Sequence, residues 1–235
     1  MVFFTGDIHG NDRNITRFVN RVNPKITDTI VLLGDVGANY FGNHKDIRLK
    51  DHLNGLGVHL LCIHGNHEMR PTNVPGYHEI EWNGGTVWIQ PEFPNLLFAK
   101  DGEIYEIEGL RYLVIGGAYS VDKYYRQLLG YSWWSDEQPS DEIKARVEEQ
   151  IKSKDFDIIL SHTCPFKYEP VEMFISGVDQ SKVDDSTERW LDTIEDSIDY
   201  LAWFCGHWHT NKRIDKVHFL FDEFETDEQF KSNVK

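Results

Sequence analysis

The chain is poor in three things. It has only three cysteines in 235 residues, Cys62, Cys164 and Cys205. They are odd in number and far apart, which excludes a disulfide framework and a thiolate metal site of the CxxC kind. No apolar run approaches the ~18 residues of a membrane span, so no membrane partner is expected. Basic charge is scarce, with 24 Lys+Arg against 39 Asp+Glu and a formal net charge of −15. That balance argues against a protein that grips long nucleic acid through its overall field, because phosphate binding needs a basic surface. The opening MVFFTGDIHG carries neither a basic region nor a long apolar stretch, so a cytoplasmic location is expected. Repeats, low-complexity tracts and Pro/Ser linkers are missing too, and the chain reads as one domain over residues 1–235.

Against these absences stand 11 histidines in an acidic chain. A surface this negative repels phosphate unless some of its carboxylates and imidazoles hold cations. Four short apolar runs end in Gly, Asp or His: VFFTGD (2–7), TIVLLGD (29–35), VHLLCIHG (58–65) and DIILSH (157–162). Such bounded, β-rich runs predict buried strands. Between them, Ile15, Phe18, Val19 and Val22 recur at helical spacing, and residues 44–56 carry Ile47, Leu49, Leu53 and Leu56. Strand, helix, strand, helix, strand predicts βαβ units and a mostly parallel sheet.

The middle has a different grain. TVWIQ, LLFAK, EIYEIEG and RYLVIGGAY follow one another, with turns at Asn83-Gly84-Gly85, Asp101-Gly102 and Gly109, and predict a β-meander. A helix capped by Ser140 follows, with Ile143, Val147 and Ile151 on one face. Another starts near Asp185, with Glu188 completing a capping-box pattern and Trp190, Leu191, Ile194, Ile198 and Leu201 on one face. AWFCGH and KVHFLFDEFET predict closing strands. The expected fold class is α/β, a four-layer α/β/β/α sandwich of two mixed β-sheets flanked by helices.

Polar residues sit just past the ends of these strands, where open α/β sheets place their ligands. Asp7 and His9 follow the first strand and Asp35 the second. Asn66, His67 and Glu68 follow the third. His162 ends DIILSH, and His207 and His209 end WFCGHWH. A mixed carboxylate and imidazole set without thiolate suits Mn, Fe, Zn or Ni and argues against a closed structural zinc site. One aspartate can bridge two cations ~3.5–4 Å apart, and such a pair lowers the pKa of a shared water and holds a phosphoryl oxygen.

GDIHG, GDVG, GNHE, SH and GHWH, in that order over residues 7–209, resemble the signature of the calcineurin-like metallophosphoesterases. The resemblance implies two divalent transition-metal ions, Mn²⁺ foremost. Asp7, His9, Asp35 and His209 would surround one, and Asp35, Asn66, His162 and His207 the other, with Asp35 bridging. It implies a metal-dependent phosphohydrolase, phosphodiesterase or phosphomonoesterase, in which a hydroxide bridging the ions attacks phosphorus. His67 would protonate the leaving oxygen, so His67 and Asp35 are the expected catalytic residues. The expected partner is a small phosphate ester or nucleotide-like substrate, and the pattern assigns no oligomeric state.

The second motif departs from the serine/threonine phosphatases of that family. Ala38 stands where they carry the aspartate that orients the catalytic histidine, and Asn39 replaces their phosphate-binding arginine. Arg13, Arg70 and Arg126 are the candidate substitutes. The alternative readings are a nuclease of the same fold, a Ser/Thr protein phosphatase-like enzyme, and a catalytically silent metal-binding scaffold for a partner protein. Glu68 reads equally as support for a ligand or as a charge at a helix N-terminus. The remaining histidines, His44, His52, His59, His64, His78 and His218, read as solvated or core residues. Cys62 and Cys205 read as packing residues, and so does Cys164 despite its closeness to His162. Two segments are candidates for substrate selection. One is the aromatic and basic stretch 118–134, a wall or a hydrophobic plug; the other is the aperiodic stretch 166–182, a lid or an insertion edge.

Overall fold

The computed structural model describes residues 1–153 and 156–231. Its first half carries β1 (Val2–Thr5), α1 (Arg13–Val22), β2 (Thr29–Leu32), α2 (His44–Asn54) and β3 (His59–Cys62). Then come β4 (His78–Trp82), β5 (Gly85–Ile89), β6 (Leu96–Ala99), β7 (Ile104–Ile107) and β8 (Leu110–Ile115). The second half continues through α3 (Lys123–Leu128), α4 (Asp141–Ser153), β9 (Ile158–Ser161) and α5 (Ser186–Glu195). It closes with β10 (Ala202–Cys205), β11 (Lys212–Ile214), β12 (Val217–Phe219), β13 (Glu225–Thr226) and α6 (Glu228–Lys231).

Two mixed sheets result. One runs β13-β1-β2-β3-β6-β5-β4 and the other β11-β12-β10-β9-β8-β7. Their centres are parallel: β1, β2, β3 and β6 in the first sheet, β8, β9, β10 and β12 in the second. Parallel centres are covered on both faces, which is why their strands read as continuous apolar runs rather than alternating ones. The period-2 alternation is still there, sorted between two cores. Val2 and Phe4 of β1 face the other sheet with Leu160 and Phe204, while Phe3 packs outward with Ile15 and Phe18 of α1. In the second sheet, Leu113, Ile159 and Trp203 face outward against Val147 and Ile151 of α4 and Leu191 and Ile194 of α5. Three apolar layers between four structural ones give the expected α/β/β/α sandwich.

The structure differs from the sequence reading in local ways. The meander does not stay in one sheet. Strand β6 pairs with β3 and β5, whereas β7 pairs with β8 in the opposite sheet, so the chain crosses over at the Asp101-Gly102 turn. Leu97, Ala99, Tyr105 and Ile107 all face the inter-sheet core, so the crossing folds the meander over that core. Residues 216–226 likewise split, β12 pairing with β10 and β13 with β1. Edge strand β4 escapes the sequence reading because only Ile80 and Trp82 pack on the core, between exposed Glu79 and Glu81. Helix α5 ends at Glu195, before Ile198 and Leu201. Its N-cap Asp185 makes no side-chain cap bond, and Asp184 accepts from the Ser186 N–H instead.

Candidate metal centre

Parallel strands within each sheet point their C-terminal ends the same way, and the two sheets bring those ends to one place. The donor atoms of Asp7, His9 and His209 lie within 4.8 Å of one another, as do those of Asp7, Asp35 and His162. A third set joins His9, Asp35 and His67 at the same distance. Asn66 completes the group, its Oδ1 lying 2.8 Å from His162 Nε2. His207 is the outlier among the imidazoles, outside those sets, but its ring packs 5.0 Å from that of His162 and lines the same cavity. All seven sequence-predicted ligands and His67 therefore meet.

The backbone is bent to make this happen. Among the described residues, eight non-glycine residues have positive φ, and four of them are His9, Asp35, His207 and His209. Left-handed backbone is costly for such side chains and persists where the surrounding structure over-determines it, as at functional sites. Two glycines leave room for the ligands. A Cβ on Gly34 would sit 2.0 Å from His162 Nδ1, and one on Gly65 would sit 2.0 Å from Asp35 Oδ1.

Neighbouring groups then aim the donors. His162 Nδ1 donates to the Leu33 carbonyl at 2.7 Å, which selects the tautomer that leaves the Nε2 lone pair free. The Asn66 amide nitrogen donates to Ser120 Oγ at 2.9 Å, which turns Oδ1 inward. The His207 and His67 backbone N–H groups donate to Asp7 Oδ1 at 2.9 Å and to Asp35 Oδ1 at 2.8 Å. Asp7 Oδ2 is buried and makes no directed hydrogen bond, although His209 Nε2 stands 3.3 Å away. A buried carboxylate with a spare lone pair, faced by imidazole nitrogens, is an environment a cation fits.

Charge follows the same pattern. Burial would raise the Asp7 pKa, but the neighbouring His209, His162 and His9 rings hold it at about 2. His209 is raised by the Asp7 carboxylate beside it. Burial and His162 push His207 well down, so it stands neutral and able to ligate. His67 is lowered, chiefly by burial, with the Asp35 charge opposing. Glu68 is pushed up to about 8 by burial and the Asp35 charge. It lies in no helix and accepts from the Val36 N–H at 3.2 Å, so it braces the loop carrying Asp35; the helix N-terminus reading fails.

Several groups become visible only here. Asp122 Oδ1 lies 3.9 Å from His67 Nε2, while Ala38 is packed in the outer core. Ser120 accepts from Asn66 and from Arg126 Nη1 at 3.2 Å and donates to Glu137 at 2.6 Å. Of the candidate arginines, Arg70 pairs with Asp101 at 2.6 Å and lines a different cavity. Arg13 is exposed and outside the cavity, and Arg126 reaches the centre only through Ser120. Asn39 is buried and accepts from the Tyr77 hydroxyl, not positioned for phosphate. The one available signal for Ser120 and Asp122 was their place just after β8, a strand feeding the same edge.

The two candidate selection segments divide. In 118–134, the tryptophans pack the loop: Trp133 donates to Glu137 at 2.7 Å, and Trp134 meets Tyr40 edge to face. Tyr124, Tyr125 and Tyr131 are exposed, and only Tyr119, Val121 and Asp122 reach the cavity. The stretch 166–182 does line it, with Phe166, Val171, Phe174 and Ile175. That cavity, of about 590 Å³, opens over the strand ends. Cys62, Cys164 and Cys205 are free, buried and packed in the outer cores. Among the remaining histidines, His64 and His218 are buried, the latter bonded to Glu225. No helix among the described residues is long and apolar enough to cross a membrane.

Two mixed sheets thus bring carboxylates and imidazoles together at their joined edges as a candidate metal centre. The calcineurin-like phosphoesterase model matches residues 1–211, and the chain belongs to that family, whose centre takes two divalent metals. Among solved structures, the chain is similar to the protein TT1561 of Thermus thermophilus, at 14% identity and a TM-score of 0.52. That likeness covers 94% of this chain and 87% of the other, and it shows the fold. An archaeal phosphodiesterase is similar at 12% identity and a TM-score of 0.40, covering 94% of this chain and 81% of its own. No curated protein matches the chain.

Proposed function

We propose that the protein is a dinuclear metal-dependent phosphohydrolase acting on a small phosphate ester, diester or monoester, with Mn²⁺ in the centre. The observation that carries this is the convergence of Asp7, His9, Asp35, His162 and His209 within ligand range at the joined sheet edges. Asp7, His9, Asp35 and His209 would hold one ion and Asp35, Asn66, His162 and His207 the other. Bound there, two cations supply positive charge for a phosphoryl group and activate water at neutral pH.

The protein's own part is positioning and proton transfer. Asp35 is oriented by the His67 N–H and by the loop that Glu68 braces, which would hold its carboxylate in place to bridge the two ions. Water oxygen bonds to phosphorus, the bond to the leaving oxygen breaks, and His67 gives that oxygen a proton. An arriving phosphate brings negative charge beside a ring that burial keeps neutral, which favours its protonated form. Asp122 serves as the positioning carboxylate for His67, taking the place that Ala38 leaves empty. A long polyanion is disfavoured: no lysine or arginine lines the cavity among the described residues.

Purified protein with Mn²⁺ should hydrolyse p-nitrophenyl phosphate, its bis ester, or both, and the ratio assigns monoester or diester preference. Two bound metals with no turnover of either ester would sink the hydrolase reading and leave the silent scaffold.

A further inference from the structure

The strand ends build one wall of the cavity; residues 166–188 with Trp208 build the other, and its chemistry is different. Phe174 lies against Trp208 with ring centroids 5.9 Å apart and 25° between planes, and Phe166 extends the aromatic surface. Set into this apolar wall are acids. Asp184 and Asp185 are satisfied, the first by Gln138 and the Ser186 N–H, the second by Arg189 at 2.7 Å. Glu169 and Glu188 are not. Glu188 is 4% exposed and faces the cavity, with the Thr163 hydroxyl as its polar neighbour and no cation paired to it among the described residues. Glu169 also lines the cavity; it is half-buried and feels the Arg189 guanidinium, which lies 3.9 Å over the Phe166 ring, but it forms no ion pair among the described residues. Burial pushes each up to about 7, and the Glu169 charge adds to the effect on Glu188.

A buried carboxylate without a cationic partner, as Glu188 is, is expensive, and the half-buried Glu169 beside it adds to the cost. A cation in the cavity would offset that cost. Hydrated Mg²⁺ or Ca²⁺ needs six or more oxygen ligands, which two carboxylates among aromatic rings do not supply. An alkylammonium fits better: it is weakly hydrated, carries apolar surface, and is attracted by aromatic faces and carboxylates together. We propose that this wall binds the cationic end of an amino-alcohol phosphate ester, a small soluble substrate whose phosphoryl group faces the strand-end donors. This rests on the hydrolase reading above and narrows its substrate class.

The test pairs each cationic ester with its uncharged carbon isostere: phosphocholine against 3,3-dimethylbutyl phosphate, and the methyl diesters of both. With Mn²⁺, kcat/KM for the cationic member of the pair that is turned over should exceed that of its isostere by at least about tenfold, the equivalent of ~1.4 kcal/mol. Glu188→Gln combined with Glu169→Gln should bring that ratio close to one. Independently of activity and of variant folding, calorimetric titration of the metal-free wild-type protein should show choline binding at least about tenfold tighter than 3,3-dimethylbutanol. Equal kcat/KM within the pairs, a ratio that survives the double substitution, or equal binding of the two alcohols would each overturn the cation wall while leaving the hydrolase reading standing. Metals bound, no ester turned over, and choline still preferred would do the reverse.

Discussion

The two walls of the cavity are built on opposite principles. At the strand ends, nearly every polar group is matched: Asp35 by a backbone N–H, His162 by a carbonyl, Asn66 by a serine, each held by parallel strands with a packed core on both faces. Across the cavity, residues 166–183 run through short 3₁₀ turns with exposed Val171 and Ile175, and the acids Glu169 and Glu188 stand without ion-pair partners among the described residues. The metal-ligand candidates sit at the ends of rigid sheets, whereas the opposite wall is largely irregular chain running into α5. The contrast predicts that changes in the first wall abolish activity, whereas changes in the second shift preference.

The largest effect is expected from Asp35→Ala. It removes the carboxylate proposed to bridge the two ions, so both metals should be lost by elemental analysis and turnover should fall by about 10³-fold or more. Retention of two metals would show that the wall is not organised around Asp35. His67→Ala should lower kcat by ~10²–10⁴-fold while metal content stays at the wild-type level. Loss of metal in that variant would make His67 a ligand, which its place in a donor set with His9 and Asp35 keeps in view.

Gly65→Ala tests how tightly the first wall is built. The added methyl meets the Asp35 backbone N at 2.2 Å as well as its carboxylate, and backbone cannot step aside cheaply. Denaturation of the metal-free variant should show a loss of ~2–4 kcal/mol; unchanged stability would mean that the loop is loose. Asp122→Asn should be milder, ~10-fold in kcat with KM little changed, together with a displaced pH profile. A variant that lost KM alone would relieve Asp122 of its positioning role.

The smallest effect belongs to the second wall. Glu188 titrates at about 7 in the folded chain against an ordinary 4.5, so the folded state holds a proton that the unfolded chain has released. Stability of the metal-free protein should therefore decline as pH rises from about 4.5 to about 7, and Glu188→Gln should flatten part of that slope. A slope untouched by the substitution would place the titration elsewhere.

Much of the first wall was legible in the residues themselves. Each ligand closes an apolar run, and glycine flanks most of them, so strand, turn and donor are written in adjacent positions. The inner and outer cores were legible for the same reason, since α1, α4 and α5 carry helical spacing and β1, β2, β3, β9 and β10 carry apolar runs. What escaped was what depends on pairing at a distance. The sequence pattern of β6 and β7 is that of two consecutive hairpin strands, and nothing local says that a sheet boundary lies between them. Asp122 lies 55 positions after His67 and was marked by no motif; it reaches the ring only because β8 delivers its loop to the same edge.

The sequence by itself determined the donor types, their order and the elements that carry them, because hydrophobic period and turn chemistry are local properties of the chain. It also determined the family, since that order is specific even where each motif alone is weak. Only the tertiary structure decided that donors from two sheets meet, that Asp122 comes within 3.9 Å of His67, and that Glu169 and Glu188 line one apolar wall. Those are facts of long-range packing, in which a carboxylate's meaning comes from what is buried beside it and from what is not there to pair with it.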